Sequence, residues 1–511
     1  MNKEIFKTRR GRLAKPADTV NDAGGKAYSM TAKQYLAKYA LVGMFQDSYY
    51  TSASLQLDRL LEVLPEVPPE FIAKTALYSR QKGFLKDVPS ALLAWLAAHD
   101  LEHFHLVFDQ VANNALMVKR TAHMIRTGMF GRKSFGTSVR RAFQQWLVSR
   151  SYQQLFKDSV GGELTIKDLI RLTHPKPKKK MQEELFRYLL GEKCDEENLP
   201  GLVQHFEKFK RNPRKDHIPN VPFQMLTGSA LPDAVWKEIA RNAPWHMTRM
   251  NLNTFVRHGV FKGRGGKTLI NLVAKRLKDP KQVKWSRCFP YQLFMAYLAS
   301  EDNVPVAITN ALQDALELAT QHVPEYGDSV VVCPDVSGSM FGPVSQNSKV
   351  TYTQIAGLFT SAIIRNNPNA CVLPFSTTVH KISFNPRDSV MTNAKKLAMS
   401  CGATDCTAPL QHMLKEKIRA DLVIYVSDNQ SWYHKHSPVS GVWEEYKSKN
   451  SKAKLVCIDI STNHTYQVPS THSDVMNVSG FNDNVFRLIN MFTKGEIEGD
   501  ALVAEIEDVE L

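Results

Sequence analysis

Two acids and three hydroxyls in the last third of the chain are the residues best suited to chemistry. Asp335-Val336-Ser337-Gly338-Ser339 follows directly on the apolar run Ser329-Val330-Val331-Val332-Cys333-Pro334. Thr404 lies in Gly402-Ala403-Thr404-Asp405-Cys406, which begins 65 residues after Ser337, and Asp428 closes a second apolar run that starts at Asp421. Asp335, Ser337, Ser339, Thr404 and Asp428 are all hard oxygen donors. They suit a divalent cation of the Mg2+ kind, which keeps part of its water when bound. The same residue types also suit a helix cap at Ser337 and Ser339 and hydrogen-bonded turns at Asp335 and Asp428.

The elements that must hold these residues are legible around them. A β-branched apolar run reads as a buried strand of a parallel sheet, and Pro334 ends it because proline cannot donate to a ladder. Ligands of open α/β sheets bind beyond the carboxyl ends of the strands, where Asp335 and Asp428 stand. From residue 329 the pattern predicts strands at 329–334, 370–375, 379–384, 421–427 and 454–460, with helices at 352–366, 388–400, 408–419 and 483–493. That alternation is the signature of a doubly wound α/β domain, expected over 327–494. Residues 27–326 are helical almost throughout, with apolar positions three and four apart. They read as an all-α helical-repeat domain. Residues 1–26 are expected to be a basic flexible arm, and residues 495–511 an acidic tail without fixed structure.

Charge is distributed unevenly. The chain of 511 residues has a formal net charge of +15, but residues 1–325 carry +18 and residues 326–511 carry −3. Residues 111–290 alone hold 35 basic and 14 acidic side chains. Such an excess marks a surface for a polyanion. No apolar run approaches 18 residues, so no membrane span and no membrane partner are expected. The first residues lack the apolar core of a signal peptide. The seven cysteines are scattered and form no Cys-x-x-Cys pair, so free thiols in a reducing, cytoplasmic setting are expected.

Within the basic region, Arg126 to Lys133 and Arg140-Arg141-Ala-Phe143-Gln-Gln-Trp146 set cations beside aromatics. Arginine neutralises phosphate and also stacks on bases, although the spacing of Phe143 and Trp146 assigns both rings to a helix core. The densest cluster is Lys167-Asp-Leu-Ile-Arg171-Leu-Thr173-His174-Pro-Lys176-Pro-Lys178-Lys-Lys180, in which a helix ends before Pro175. Cations are favoured at a helix C-terminus in any case, so a solvated charge run remains an alternative. Pro244 to Gly259, with Arg249 and Arg257, mixes amides and apolar residues, as a buried network or an RNA-touching lining does. Gly263-Arg-Gly-Gly-Lys267-Thr268 is not a phosphate loop, because that motif requires glycine at 261, where Phe261 stands. No nucleophile, base and acid set can be assembled, so the chain is expected not to be an enzyme.

A basic helical domain followed by an α/β domain with this five-residue oxygen pattern resembles the Ro autoantigen family. Its helical part is the TROVE module, and its second part is a von Willebrand factor A domain with a metal-ion-dependent adhesion site. Gly131-Arg132, Arg140 to Trp146, Asp168 to Pro177, Ser286 to Tyr291, Gly402 to Cys406 and Gly480-Phe481-Asn482 each resemble family segments, with 133–139 as an insertion. The resemblance implies a ring of HEAT-like helical repeats closed by the A domain. It implies Y-type small noncoding RNA on an outer basic face and single-stranded 3' ends of misfolded RNA in a central hole, within RNA quality control. Carried over by position, Arg132, Arg140, Arg141, Lys167, Arg171 and His174 fall on the outer face, and Arg249 and Arg257 in the hole; Lys133, Thr173 and Lys176, next to them in sequence, are also expected to bind RNA. An exoribonuclease partner is implied for bacterial-type members. Two other readings stand beside this one: a metal-dependent protein-interaction scaffold, and a phosphohydrolase using Asp335.

Overall fold

The computed structural model describes residues 14–43, 45–47, 50–227, 230–300, 303–321, 323–344, 348–398, 402–432, 439–469, 473–480 and 483–511. Two compact units emerge from its backbone contacts. One comprises the chain up to Val67, Val283–Ala299 and Leu312–Asp508; the other comprises Pro68–Gln282, Ser300–Ala311 and Val509–Leu511.

In the first unit the strands are β1 (Thr19–Val20), β2 (Lys26–Ser29), β3 (Val330–Pro334), β4 (Cys371–Val372), β5 (Leu422–Ser427), β6 (Lys454–Asp459), β7 (Thr465–Tyr466) and β8 (Val475–Ser479). Five of them form a parallel sheet in the order β4-β3-β5-β6-β8. Both β3 and β5 are buried along their whole length, which is why each reads as continuous rather than alternating apolar sequence. Successive side chains point to opposite faces. Val331, Cys333, Val423, Tyr425, Leu455 and Cys457 therefore share one face, and with Met413, Trp443 and Tyr446 they form one apolar cluster. Helices Tyr352–Asn366 and Asp483–Lys494 also pack on the sheet, and the α/β layering expected from the sequence is present.

Several expectations are corrected. No strand covers 379–384; Val379 makes only an isolated antiparallel bridge to Phe375. The segment alternates like a strand, but the chain turns back at Ser376, whose N–H donates to Thr378 O at 3.0 Å, leaving no ladder to join. The strand expected over 370–375 is assigned only at β4, although Phe375 continues the parallel pairing as a bridge to Asp335, and the helix expected over 388–400 runs Val390–Lys396, with 399–400 outside the described residues. Strand β8 and helix Val439–Lys449 were not anticipated. Residues 1–13 of the expected arm are outside the described residues, but β1 and β2 pair with each other and β2 pairs with β7, so 19–29 is ordered sheet. The acidic tail contains helix Ala501–Glu507, which packs on helix Ala32–Val42 through buried Leu502 and Ile506. Its acids are matched by bases, with Lys33 Nζ 2.6 Å from Glu507 and Arg487 paired with Glu505.

The second unit is a succession of helices that pack mostly on neighbours one to three places along the chain. Pro69–Gln81, Asp87–His99, Leu101–Val111 and Ala115–Thr127 pack in this way, as do Gly136–Ser149, Ile166–Thr173 and Lys180–Leu190. This is the local packing that repeat architectures use. Phe143 and Trp146 are core residues, as their spacing predicts; Phe143 meets Phe108 edge-on at 5.3 Å. In the mixed polar stretch after Pro244, Trp245 and Thr248 join a hydrogen-bonded network with a later helix, while His246, Arg257 and His258 are exposed. Arg276 donates to Thr248 Oγ1 at 2.9 Å and to the carbonyl of Ala240 at 2.9 Å, and Trp245 Nε1 donates to Leu277 O at 3.0 Å. In the Gly263–Gly266 turn, Lys237 Nζ donates to the carbonyl of Lys262 at 3.0 Å, so a cation already sits on its oxygens.

Two helices of the sheet unit meet tightly at Gly357, where an added Cβ would lie 2.8 Å from backbone atoms of Ala394. Replacing Gly357 with alanine forces Tyr352–Asn366 away from Val390–Lys396 and is expected to cost about 1–3 kcal/mol. Denaturant titration reads this directly, and unchanged stability would show that the two helices separate freely.

Candidate metal centre and basic helical face

Asp335 and Asp428 stand just past the carboxyl ends of the adjacent strands β3 and β5, paired in register through Pro334 and Val426. The N–H of Asp335 still donates to Val426 O at 2.9 Å, so the two ends are laced together before the chains diverge. Asp335 Oδ1 accepts the Ser337 N–H at 2.8 Å, and Oδ2 accepts the Ser427 hydroxyl at 2.6 Å. Ser337 and Ser339 hydroxyls are 3.4 Å apart, and Ser339 acts to lower the Asp428 carboxyl pKa. The Thr404 turn is tied to this loop by the Gly338 N–H, which donates to Gly402 O at 2.8 Å. It is tied to the Asp428 loop by the Trp432 N–H, which donates to Thr404 O at 3.2 Å. All five expected ligands are buried.

The electrostatics of this cluster are unbalanced. Burial raises the Asp335 carboxyl above its ordinary range against the hydrogen bonds from Ser427 and Ser337. Burial, with the neighbouring Asp335 charge added, pushes Asp428 up to about 7. Among the described residues no lysine or arginine contributes appreciably at either acid. Nor, among them, do three or more His, Cys, Asp or Glu side chains gather as a metal site by themselves. A cation here would depend on hydroxyl donors beside two carboxylates, an all-oxygen set that fits Mg2+.

The basic residues fall into separate groups. On helix Ile166–Thr173, Thr165 and Asp168 cap the N-terminus reciprocally. Lys167, Arg171 and His174 follow at four- and three-residue steps, so they share a face. His174 takes the left-handed cap position, with φ of 52°, and is exposed with Arg171 and Lys176. Gln144, on the packed helix Gly136–Ser149, donates to Thr173 O at 2.6 Å and to His174 O at 3.3 Å. Exposed Arg140 and Arg141 lie one turn before Gln144, which joins them to the His174 surface. Among the described residues no ion pair holds Arg140, Arg141, Arg171 or Lys176. Two expected members do not fit this face. Thr173 is fully buried, with its hydroxyl donating to Leu169 O at 2.7 Å, because the same stripe that exposes Arg171 and His174 turns Thr173 inward. Arg132 is half-buried and donates to Ala97 O at 2.6 Å and to Ser134 O at 2.7 Å, as a strut between chain segments. Lys133 is exposed. Arg249 is half-buried, and Arg257 is exposed with Thr254 Oγ1 at 3.2 Å.

Comparison with known proteins gives concordant results. The sequence model of the TROVE domain matches residues 163–325, and that of the Ro60 vWA domain matches residues 329–493. The chain belongs to the Ro family. The RNA-binding protein RO60 of Deinococcus radiodurans is 22% identical over 93% of this chain and 95% of its own length. The RNA-binding protein RO60 of Caenorhabditis elegans is 21% identical over 45% of this chain and 37% of its own. The crystal structure of the Deinococcus radiodurans RO (RSR) protein superposes with a TM-score of 0.64, at 18% identity, over 91% of this chain and all of the other.

For a Ro-family member, the site holds one set of residues the motif reading missed. Helix Ala32–Val42 buries Lys38, whose ammonium pairs with Asp459 and Asn463, with the Tyr466 ring 5.9 Å away. Burial lowers the Lys38 ammonium against the pull of Asp459. Asn463 Nδ2 in turn donates to Asp428 O at 2.9 Å, and Asn429 Nδ2 to Asp459 at 3.2 Å, so this cluster fixes the loop that carries Asp428. Asn21 adds a bond to Ser431 O at 2.7 Å, and Gly25 lies so close to Ser431 that a Cβ there would overlap its carbonyl. A lone lysine within Tyr35-Leu36-Ala37-Lys38-Tyr39-Ala40-Leu41 was the available signal.

Two outcomes are expected. MgCl2 raises the thermal midpoint of the parent protein, by about 2.7 kcal/mol of stabilisation at a hundredfold excess over Kd. The shift is lost in Asp335→Ala and in Asp428→Asn, the second of which remains folded because one buried charge has been removed; an equal shift in all three would place no ion between these acids. Lys38→Met leaves Asp459 a buried charge without its partner and is expected to cost about 3–5 kcal/mol. Adding Asp459→Asn recovers most of this loss in a denaturant titration if charge is the cause, whereas a double variant as unstable as the single one would assign the cost to packing.

Proposed function

We propose that this Ro-family chain is a non-enzymatic RNA-binding scaffold. The observation that carries this reading is the exposed set Arg140, Arg141, Arg171, His174 and Lys176, with half-buried Lys167 beside it, on two packed helices and the turn that ends the second, in a region with a large excess of base over acid. Exposed cations held in no ion pair among the described residues suit phosphates, which supply much of the affinity in nucleic-acid binding. The relatives' names as RNA-binding proteins support the same reading.

In its finer form, the outer basic face takes a small structured noncoding RNA of the Y type. Single-stranded 3' ends of misfolded RNA enter a central opening of the helical domain, with Arg249 and Arg257 along their path. The A domain holds Mg2+ through Asp335, Ser337, Ser339, Thr404 and Asp428 and recruits a protein partner, an exoribonuclease in this reading, so that bound RNA is presented for quality control. When bound, the ion offers an open coordination position to an oxygen ligand of that partner. In this reading the chain's own residues hold and orient the ion and its ligand and do no bond-breaking chemistry.

Arg171→Ala combined with His174→Ala tests the face. Affinity for a structured small RNA is expected to fall about tenfold or more, with each lost phosphate contact reducing the dependence on salt. The Mg2+-dependent melting shift should be unchanged. Full affinity in the double variant would remove this surface from RNA binding.

A further inference from the structure

Five of the seven tryptophans, Trp95, Trp146, Trp236, Trp245 and Trp443, are buried to 7% exposure or less. Trp285 is 77% exposed, the highest value among the exposed large apolar residues described. Its helix, Pro280–Ser286, buries Val283 instead, so the fold is anchored there without the indole. Leaving so large an apolar ring in water forgoes the stabilisation its burial would bring. Packing supplies no reason for an indole at this position.

The surrounding sequence indicates what would cover it. The run 275–287 contains Lys275, Arg276, Lys278, Lys281, Lys284 and Arg287 and a single acid, Asp279. Asp279 is engaged by the chain itself, its Oδ1 accepting the Gln282 N–H at 2.8 Å. Lys284 and Arg287, on either side of Trp285, are both exposed. A flat, solvent-facing π surface flanked by exposed cations is the arrangement that binds single-stranded nucleic acid. The bases stack on the ring and the cations follow the phosphates. A protein or lipid surface would also bury the ring, but the local charge, six bases to one acid, favours a polyanion that itself carries flat apolar groups.

We propose that Trp285 is a base-stacking platform for an unpaired stretch of RNA, with Lys284 and Arg287 on the adjoining phosphates. The inference rests on the RNA-binding reading and deepens it: the structured RNA is held by Arg140, Arg141, Arg171 and His174, while Trp285 requires a base free of a duplex. Stacking and phosphate contact differ physically. Stacking on an aromatic ring survives salt, whereas each phosphate contact on a single strand adds about 0.7 to the slope of log K against log salt.

The experiment measures binding of labelled oligouridylate to the full chain at several salt concentrations, for the parent, Trp285→Ala, Trp285→Phe and Lys284→Ala. Trp285→Ala is expected to lose about tenfold in affinity at every salt concentration with its slope unchanged, and Trp285→Phe to keep most of the affinity. Lys284→Ala is expected to lower the slope by about 0.7. Because the indole is exposed, the thermal midpoints should match that of the parent. Parent-like affinity in Trp285→Ala, while the parent binds, overturns the platform and leaves the RNA reading intact. A loss that phenylalanine does not restore overturns it also. A parent that binds neither oligouridylate nor structured RNA overturns both.

Discussion

Charge without a matching partner is the constraint on which this molecule turns. A carboxylate in a dry interior is strongly penalised unless a cation or several donors compensate it. Asp335 and Asp428 are buried at the ends of neighbouring strands, and hydroxyls and backbone N–H groups offset only part of that penalty. The helical unit has the opposite imbalance, with exposed arginines and lysines on packed helices and few acids nearby. One excess suits a small cation and the other a polyanion. Both follow from where the chain places its charges.

Where the chain balances charge internally, it does so with backbone and side chain together. Lys38 and Asp459 form a buried pair, and their amide neighbours Asn429 and Asn463 extend it to the loop of Asp428. A buried ion pair is weak evidence for net stability, and the value of this one lies in geometry: it orients a loop whose carboxylate has no cation of its own. Helix Ala32–Val42 and the β1–β2 hairpin thus belong functionally to the sheet, although they precede it by some 300 residues.

The sheet was legible in the sequence because β3 and β5 are buried on both faces and contain unbroken β-branched runs. The motif residues Asp335, Ser337, Ser339, Thr404 and Asp428 were legible because each follows such a run or a glycine turn. Strand β8 was hidden because it is short and Asn477 interrupts its apolar pattern, and 379–384 imitated a strand because alternation records side-chain polarity without recording a ladder to join. The acidic tail looked unfolded by composition. Its apolar residues Leu502 and Ile506 are few, and the bases that neutralise it, Lys33 and Arg487, are remote in sequence. On the helical side, counting charge located the region but could not sort its members. Thr173 and Arg132 lie within the basic cluster by sequence, yet one faces the core and the other spends donors on carbonyls. Only the turn of the helix and the partners of each nitrogen separate them from Arg171 and His174.

The central claim is that the exposed cations of the helical unit hold RNA. The most direct test is to isolate the full-length protein at low ionic strength without nuclease, recover the nucleic acid that travels with it, and sequence that material. The account predicts small structured RNAs that dissociate as salt is raised, since each neutralised phosphate makes binding weaker in salt. Protein recovered free of ribonucleotide, with no affinity for hairpins or frayed single strands under the same conditions, would contradict it.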